Sequence, residues 1–299
     1  LDQPSDEDRG GRIEVRNLGK AVMMERSQLI ETVTREVLAI LGAGGEVTLG
    51  LDHADEAVAN GAARLGFSGN GCDVPTGLAQ YIDHTVLKPD VPPENIDRLC
   101  DEAMEFGFAA VCINPAWVRR AARRVRGSGV KVASVCGFPL GANVPEIKAM
   151  EARRAIRDGA REIDMVINVG ALKGGDHELV RRDIAGVSDA WREVGALNKV
   201  IIEACYLTDE EKVVACRLAQ LARADFVKTS TGFGPGGATI FDVALMRETV
   251  GLKMGVKAAG GIHDADDARA MITAGANRIG ASAGIRIVTG DEGGSGESY

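Results

Sequence analysis

The chain has 299 residues, of which 45% are hydrophobic and 26% charged, as is typical of a soluble globular protein. Its 35 basic and 43 acidic residues give a net charge of −8, which argues against a general nucleic-acid binder or a protein drawn to anionic membranes. Because the sequence has no apolar run of about 18 residues and no signal pattern, we expect no membrane span and a cytoplasmic location.

The N-terminal part, residues 1–76, differs from the rest of the chain. Residues 26–41 (RSQLIETVTREVLAIL) carry apolar side chains three and four positions apart, which predicts an amphipathic helix. The Gly-rich stretch from 42 to about 76 predicts a flexible linker. A helix tethered in this way needs a partner for its apolar stripe, which can be the rest of the chain or a second subunit of a homo-oligomer.

Residues 77–289 alternate short apolar runs with longer segments of helical spacing, before a tail (290–299) that we expect to be disordered. The predicted strands are YIDHT (81–85), AAVCIN (109–114), VKVASVC (130–136), EIDMVIN (162–168), KVIIEA (199–204), DFVKTS (225–230), GVKAAG (255–260) and RIGAS (278–282). Apolar strands with intervening helices indicate a parallel sheet covered on both faces. Eight such units predict an α/β fold of the closed (β/α)8 TIM-barrel type, and the missing GxGxxG turn disfavours an open dinucleotide-binding sheet.

Two lysines lie where a barrel carries its functional side chains, toward the C-terminal ends of the strands. Lys228 is in DFVKTSTG near the end of the sixth strand, and Lys257 is in GVKAAGG on the seventh. Neighbouring strands are about 4.8 Å apart, so two inward lysines here would repel each other. Burial and a nearby positive charge both favour a neutral amine, which is the form that attacks a carbonyl. The alternative is that one lysine reaches solvent or pairs with a carboxylate.

Acidic residues also interrupt the predicted strands. Asp164 lies within the fourth strand and could exchange protons with a bound carbonyl, or could form a salt bridge to one of the lysines. Asp83 on the first strand is a similar case, and Glu203 could point inward from the fifth. Lys199 begins the predicted fifth strand, so we expect it at the N-terminal face of the barrel, away from the chemistry.

Gly-rich turns after the last three strands could bind a phosphate. Backbone N–H groups at such turns and at helix N-termini attract anions, and the loops after strands seven and eight are the usual phosphate site of barrels. The turns in question contain Thr231 and Gly232, Gly260 and Gly261, and Gly280 and Ser282.

These motifs together resemble the deoxyribose-phosphate aldolase family. The similarity covers roughly residues 77–289, and it is carried by YIDHTVLKP, AAVCINP, EIDMVINVGALKGG, KVIIEACYLTDEE, DFVKTSTGFGPGGAT, VKAAGGI and RIGASAG. The resemblance implies a reversible cleavage of 2-deoxy-D-ribose 5-phosphate to D-glyceraldehyde 3-phosphate and acetaldehyde. It implies that no metal or other cofactor is needed, because an iminium nitrogen accepts the electrons.

The same resemblance implies roles for individual residues. Lys228 matches the lysine that forms the Schiff base, Lys257 the one that makes it less basic, and Asp164 the aspartate that shuttles protons. Asp83 and Cys112 match residues near the substrate hydroxyls. The matches to phosphate-loop positions are Gly232, Gly260, Gly261 and Ser282. The family often has a second serine where this chain has Ala283, which we expect to loosen phosphate selectivity slightly.

The N-terminal helix is unusual for this family. LIETVTREVLAIL resembles the short helices that direct enzymes into bacterial microcompartments, so residues 26–41 could bind a shell protein. Two other functions stay open: another Schiff-base barrel aldolase that acts on a different sugar phosphate, and a non-catalytic barrel that serves as a scaffold.

Overall fold

The structure is a computed structural model that describes residues 25–42, 77–192 and 195–290. The chain divides into two compact units, residues 1–49 and 50–299. The predicted linker and tail lie outside the described residues, except for their end residues 42 and 290. None of the described helices is long and apolar enough to cross a membrane.

In the first unit, residues 25–40 form helix α1. An ion pair of 2.8 Å between Arg35 and Glu31, one turn apart, adds to its helical preference. The helix ends before Gly42, whose φ of 64° lies in the left-handed region that glycine adopts without strain. The predicted N-terminal helix is therefore present.

In the second unit, eight parallel strands close into a barrel in the order β1 to β8, as the sequence predicts. The strands are β1 (Ile82–Val86), β2 (Ala110–Ile113), β3 (Lys131–Cys136), β4 (Glu162–Val166), β5 (Leu197–Ile201), β6 (Phe226–Lys228), β7 (Gly255–Ala259) and β8 (Arg278–Ala281). All eight have completely buried centres, which is why they read as largely apolar runs.

Helices follow the strands around the outside of the barrel. They are α2 (Pro93–Phe106), α3 (Val118–Arg124), α4 (Pro145–Asp158), α5 (Val169–Lys173), α6 (His177–Arg192), α7 (Asp209–Leu221), α8 (Ile240–Val250), α9 (Ala265–Thr273) and α10 (Gly284–Thr289). Local sequence fixes several of their ends. Prolines occupy the first positions of α2 and α4, and Thr208 and Glu211 form a reciprocal capping box at the start of α7.

The barrel interior is filled by side chains from neighbouring strands in register. Phe226 on β6 lies beside Gly255 on β7, and a Cβ on this glycine would fall 2.2 Å from the ring. Glycine is therefore required there to admit the ring. Two pairs further along the same two strands, Lys228 lies opposite Lys257, which places both lysines toward the C-terminal mouth.

Candidate active site

Lys228, Lys257 and Asp164 meet inside the barrel. The Nζ of Lys228 donates to Oδ2 of Asp164 at 2.9 Å, and the Nζ of Lys257 donates to the same oxygen at 2.8 Å. All three side chains are buried, and Lys228 retains 2% exposure. Because both nitrogens contact one oxygen, they lie on the same, inner side of the barrel wall.

Asp83 on β1 also contacts Lys257. Its Oδ2 accepts from Lys257 at 2.5 Å, and its Oδ1 accepts from Arg278 on β8 at 2.9 Å. Burial would raise the pKa of Asp83, but Arg278, Lys257 and Lys199 outweigh it and hold this pKa well below the usual range. Asp83 therefore stays ionised at neutral pH.

The charges around Asp164 act in the same way. Burial would raise its pKa, but Lys199, Lys228 and Lys257 lower it well below the ordinary value. For Lys257, burial would lower the pKa, but Asp164 and Asp83 raise it well above the ordinary value. Lys257 is consequently a permanent ammonium group beside Lys228 at neutral pH.

Our expectation for Lys199 is wrong. Strand β5 begins at Leu197, so Lys199 is its third residue and not its first. Its fully buried Nζ donates to Oδ1 of Asp164 at 3.0 Å and to Glu162. Burial would lower its pKa, but Asp164, Glu162 and Asp83 raise it. The residue thus belongs to the charged interior of the barrel.

Two further residues of this interior escaped the sequence analysis. Glu162 is the first residue of β4, and it lies on the same face as Asp164 because side chains two apart on a strand point the same way. Arg278 is the first residue of β8, and it donates to Glu162 at 2.7 Å and to Asp83. A charged residue at the start of a strand looks like one at a solvent-exposed strand end. The sequence signal for an inward side chain was the spacing of two residues between Glu162 and Asp164 and between Arg278 and Gly280.

Cys112 lies on β2 with no solvent exposure. Burial and the charge of Asp164 raise the pKa of its thiol, so the group stays protonated. A neutral thiol at this position can contact a substrate hydroxyl without adding charge. Among the described residues, no group of three or more His, Cys, Asp or Glu is arranged to hold a metal ion.

The turn after β6 is held by Glu203, which follows β5. The Glu203 carboxylate accepts the backbone N–H of Thr231 at 3.1 Å and also accepts the Thr231 hydroxyl. The hydroxyl oxygen in turn accepts the N–H of Phe233 at 3.0 Å. The backbone N–H and the hydroxyl of Thr231 are therefore both bonded within the protein, and the next residue, Gly232, has a φ of 88° in the left-handed region.

The turn after β7 lies beside it. Gly260 and Gly261 have φ values of 88° and 75°, which favour glycine. A Cβ on Gly260 would lie 3.7 Å from the Cα of Gly232, so the turns after β6 and β7 are neighbours. The prediction that Gly280 lies in a turn is wrong, because it is the third residue of β8, whereas Ser282 follows the strand. A Cβ on Gly280 would fall 3.0 Å from Cε of Lys257, which shows that this glycine leaves room for the lysine.

Comparison with known proteins gives a consistent result. Residues 78–290 match the family described as DeoC/LacD family aldolase. The chain is 59% identical over 214 residues to the deoxyribose-phosphate aldolase of Streptococcus gordonii, covering 72% of this chain and 96% of that protein. It is 61% identical over 215 residues to the enzyme of the same name from Thermococcus gammatolerans, covering 71% and 96%. A solved structure described as a unique tetrameric deoxyribose phosphate aldolase from Aeropyrum pernix has a TM-score of 0.68 and 33% identity, covering 79% of this chain and 96% of that one.

Proposed function

The chain belongs to the DeoC/LacD family of aldolases, and from this premise we propose that it is a deoxyribose-phosphate aldolase that works through a lysine Schiff base. It cleaves 2-deoxy-D-ribose 5-phosphate reversibly into D-glyceraldehyde 3-phosphate and acetaldehyde. The observation that carries the proposal is the contact of Lys228 and Lys257 with one oxygen of Asp164 inside the barrel.

In the proposed mechanism, Lys228 is the nucleophile. Its neutral amine adds to the C1 aldehyde of the open-chain sugar, and loss of water gives an iminium ion. The bond between C2 and C3 then breaks: its electron pair forms the enamine, and the C3 hydroxyl gives up its proton as the carbonyl of the released aldehyde forms. Protonation of the enamine carbon and hydrolysis of the iminium release acetaldehyde and return the amine.

Asp164 and Lys257 support this cycle in different ways. Asp164 contacts both lysine nitrogens and is placed to pass protons to and from the carbinolamine, directly or through water. The ammonium of Lys257 opposes a second positive charge on Lys228, since like charges repel strongly in a buried site. Lys228 can then be neutral while Lys257 keeps its proton.

Substrate binding follows from the surrounding residues. Asp83 and Cys112 face the same interior and would contact the sugar hydroxyls. The turns with Gly232, Gly260, Gly261 and Ser282, together with Gly280 near the end of β8, would present backbone N–H groups to the 5-phosphate, with Thr231 shaping the first turn. The negative net charge of the chain makes such a local anion site necessary.

A coupled assay of deoxyribose 5-phosphate cleavage tests the function. We expect the parent to be active and Lys228→Ala to lose activity, and borohydride with acetaldehyde should leave a reduced ethyl adduct on Lys228. Lys131→Ala, which removes an exposed lysine at the start of β3, is the matched control and should behave like the parent. An adduct without cleavage would indicate an aldolase for a different sugar phosphate, and no adduct would indicate a non-catalytic scaffold.

We further propose that the protein assembles as a homo-oligomer, as the Aeropyrum pernix relative is described to do. In support, the loop after β3 and the start of α4 expose large apolar side chains: Leu140 is 77% exposed, Val144 59% and Met150 63%. Light scattering after size exclusion measures the assembly, and a mass equal to one chain would contradict the proposal.

For α1 we propose a role in targeting the enzyme from the cytoplasm to a microcompartment shell through residues 26–41. The apolar spacing of this segment and its helical conformation from residue 25 to residue 40 support the proposal. The segment fused to a fluorescent protein should form foci in cells that produce shells, and the same fusion with Val33→Glu and Val37→Glu should be diffuse. Diffuse fluorescence of the unaltered fusion would contradict the proposal.

A further inference from the structure

The interior of the barrel holds more positive than negative groups. Four cationic side chains (Lys199, Lys228, Lys257 and Arg278) face three carboxylates (Asp83, Glu162 and Asp164), and the most exposed of the seven, Arg278, retains 6% exposure. With every group ionised, the cluster therefore carries one uncompensated positive charge. An uncompensated charge in a buried site is costly, and the usual response is that one group changes its protonation.

The contacts identify the group that is held least tightly. Lys257 pairs with Asp83 and Asp164 at 2.5 and 2.8 Å. Lys199 pairs with Glu162 and Asp164, with Asp83 at 3.7 Å. Arg278 pairs with Asp83 and Glu162, and a guanidinium keeps its proton in proteins. Within the described residues, Lys228 is the member of the cluster with a single carboxylate partner.

Resting on the proposed function, we propose that Lys199, Glu162 and Arg278 are positioning residues for the reaction, because their charges make Lys228 the lysine that is neutral. Lys199 and Arg278 occupy Glu162 and one oxygen of Asp164, so Lys228 is left to share the other Asp164 oxygen with Lys257. When Lys228 gives up its proton, the cluster has three cations and three carboxylates and is balanced. A neutral amine still has an N–H to donate to Asp164, so the 2.9 Å contact persists.

Three other titratable groups near this end of the barrel, all in the described part of the chain, form no hydrogen bond or ion pair with the seven members of the cluster. Cys112 on β2 is a protonated thiol, because burial raises its pKa. Glu203 after β5 directs its carboxylate to Thr231 in the turn after β6. His84 on β1 is bonded to Glu102 of α2, outside the barrel interior.

Lys199→Met tests the inference directly. Without the Lys199 charge, three cations face three carboxylates while Lys228 is still protonated, so Lys228 keeps its proton to higher pH. We expect the acidic limb of the kcat/KM profile for deoxyribose 5-phosphate to move up by about one to two pH units, the size expected when one unit charge is removed from the far side of a shared buried carboxylate. At a pH below that limb, the kcat/KM of the variant should be at least tenfold lower than that of the parent at the same pH.

Lys148→Met is the matched control. Lys148 is as fully buried as Lys199 and forms an ion pair of 2.5 Å with Asp183, between α4 and α6. Its substitution also removes a buried cation, but this cation is outside the cluster. Whatever its effect on stability, the pH limb should stay where it is in the parent.

Glu162→Gln provides the opposite test. It removes a negative charge, so Lys228 should lose its proton more readily and the acidic limb should move to lower pH. The double variant Lys199→Met, Glu162→Gln removes one charge of each sign, and we expect its limb to return close to that of the parent. Replacement of a buried ion pair by uncharged groups is often tolerated, so this variant is expected to fold.

The outcomes separate this inference from the proposed function. A parent that does not cleave deoxyribose 5-phosphate contradicts the function. If the parent is active, two results overturn the inference alone. One is a folded Lys199→Met whose acidic limb has not moved, and the other is a double variant whose acidic limb equals that of Lys199→Met. Should Lys199→Met not fold, an unmoved or raised limb in Glu162→Gln overturns it as well.

Discussion

At the level of single residues, Gly280 of β8 has a role that its prediction as part of a phosphate-binding turn does not reveal. The absent side chain leaves space for Lys257, since a Cβ would lie 3.0 Å from Cε of the lysine and 3.0 Å from Cβ of Ala259. Gly280 is paired in register with Asp83 and Ala259, so the backbone around it cannot easily retreat. The position of the Lys257 ammonium therefore requires a residue without a side chain on the neighbouring strand β8.

We expect Gly280→Ala to lower kcat for deoxyribose 5-phosphate by about 10- to 100-fold, because a misplacement of about 1 Å within a catalytic site can cost this much. Steady-state kinetics measures the effect. Gly77→Ala is the control, since a Cβ there meets nothing within 4 Å, and it should match the parent. A Gly280→Ala enzyme with parental kcat would show that Lys257 tolerates the displacement.

The sequence was informative about Lys228 and Lys257 because a lysine among buried apolar strand residues is costly and therefore conspicuous. It was not informative about Lys199, Glu162 and Arg278. These residues lie at or near strand starts, where a charge costs little if the strand end is exposed to water. Whether it is exposed depends on how the barrel closes and on which side chains the neighbouring strands direct inward. The strand pattern alone does not contain that information.

At the level of elements, the turn after β6 depends on Glu203, which lies two residues after the end of β5. Glu203 has φ 52° and ψ 63°, a left-handed conformation that is uncommon for residues other than glycine, asparagine and aspartate. This conformation directs its buried carboxylate to Thr231, where it accepts two hydrogen bonds. Strained backbone of this kind persists where neighbouring contacts hold it, and here it couples β5 to the turn that contains Gly232.

We expect Glu203→Gln to raise KM for deoxyribose 5-phosphate about tenfold and to affect unphosphorylated deoxyribose less. Loss of charge weakens two hydrogen bonds that are each worth about 1.5–3 kcal/mol, and about 1.4 kcal/mol corresponds to a factor of ten. Removal of a negative charge near the phosphate works in the opposite direction, and we expect the loss of the two hydrogen bonds to be the larger effect. Kinetics with both sugars measures the outcome.

Thr231→Ser keeps the hydroxyl that Glu203 accepts, and as the control it should stay close to the parent. A lower KM in Glu203→Gln would show that the Thr231 hydroxyl, once released, binds the phosphate directly.

The pairing between Glu203 and Thr231 joins two loops that are 28 positions apart in the chain, so the motif around Thr231 could not reveal it. The strands themselves were predictable to within a few residues, because buried parallel strands have a plain apolar signature.

At the level of the whole molecule, the buried charges make stability depend on pH. Asp83 and Asp164 have a folded-state pKa well below the ordinary value, so in the unfolded chain they bind protons at a pH where the folded protein does not. Their contribution to the free energy of unfolding is present at neutral pH and is lost as pH falls. Lys257, whose pKa is raised, contributes in the opposite direction: its stabilisation is present at neutral pH and is lost as pH rises through its folded-state pKa.

We therefore expect the free energy of unfolding to fall steeply below about pH 4, by about 1.4 kcal/mol per pH unit for each of the two carboxylates. Denaturant unfolding at fixed protein concentration between pH 5 and the acid transition measures the slope. Asp83→Asn should reduce the slope by the share of one carboxylate, whereas Asp90→Asn, at an exposed position, should leave it unchanged. An equal slope in Asp83→Asn and the parent would mean that the acid sensitivity arises elsewhere. If Asp83 binds a proton only in the unfolded chain, its removal must take away its part of the slope.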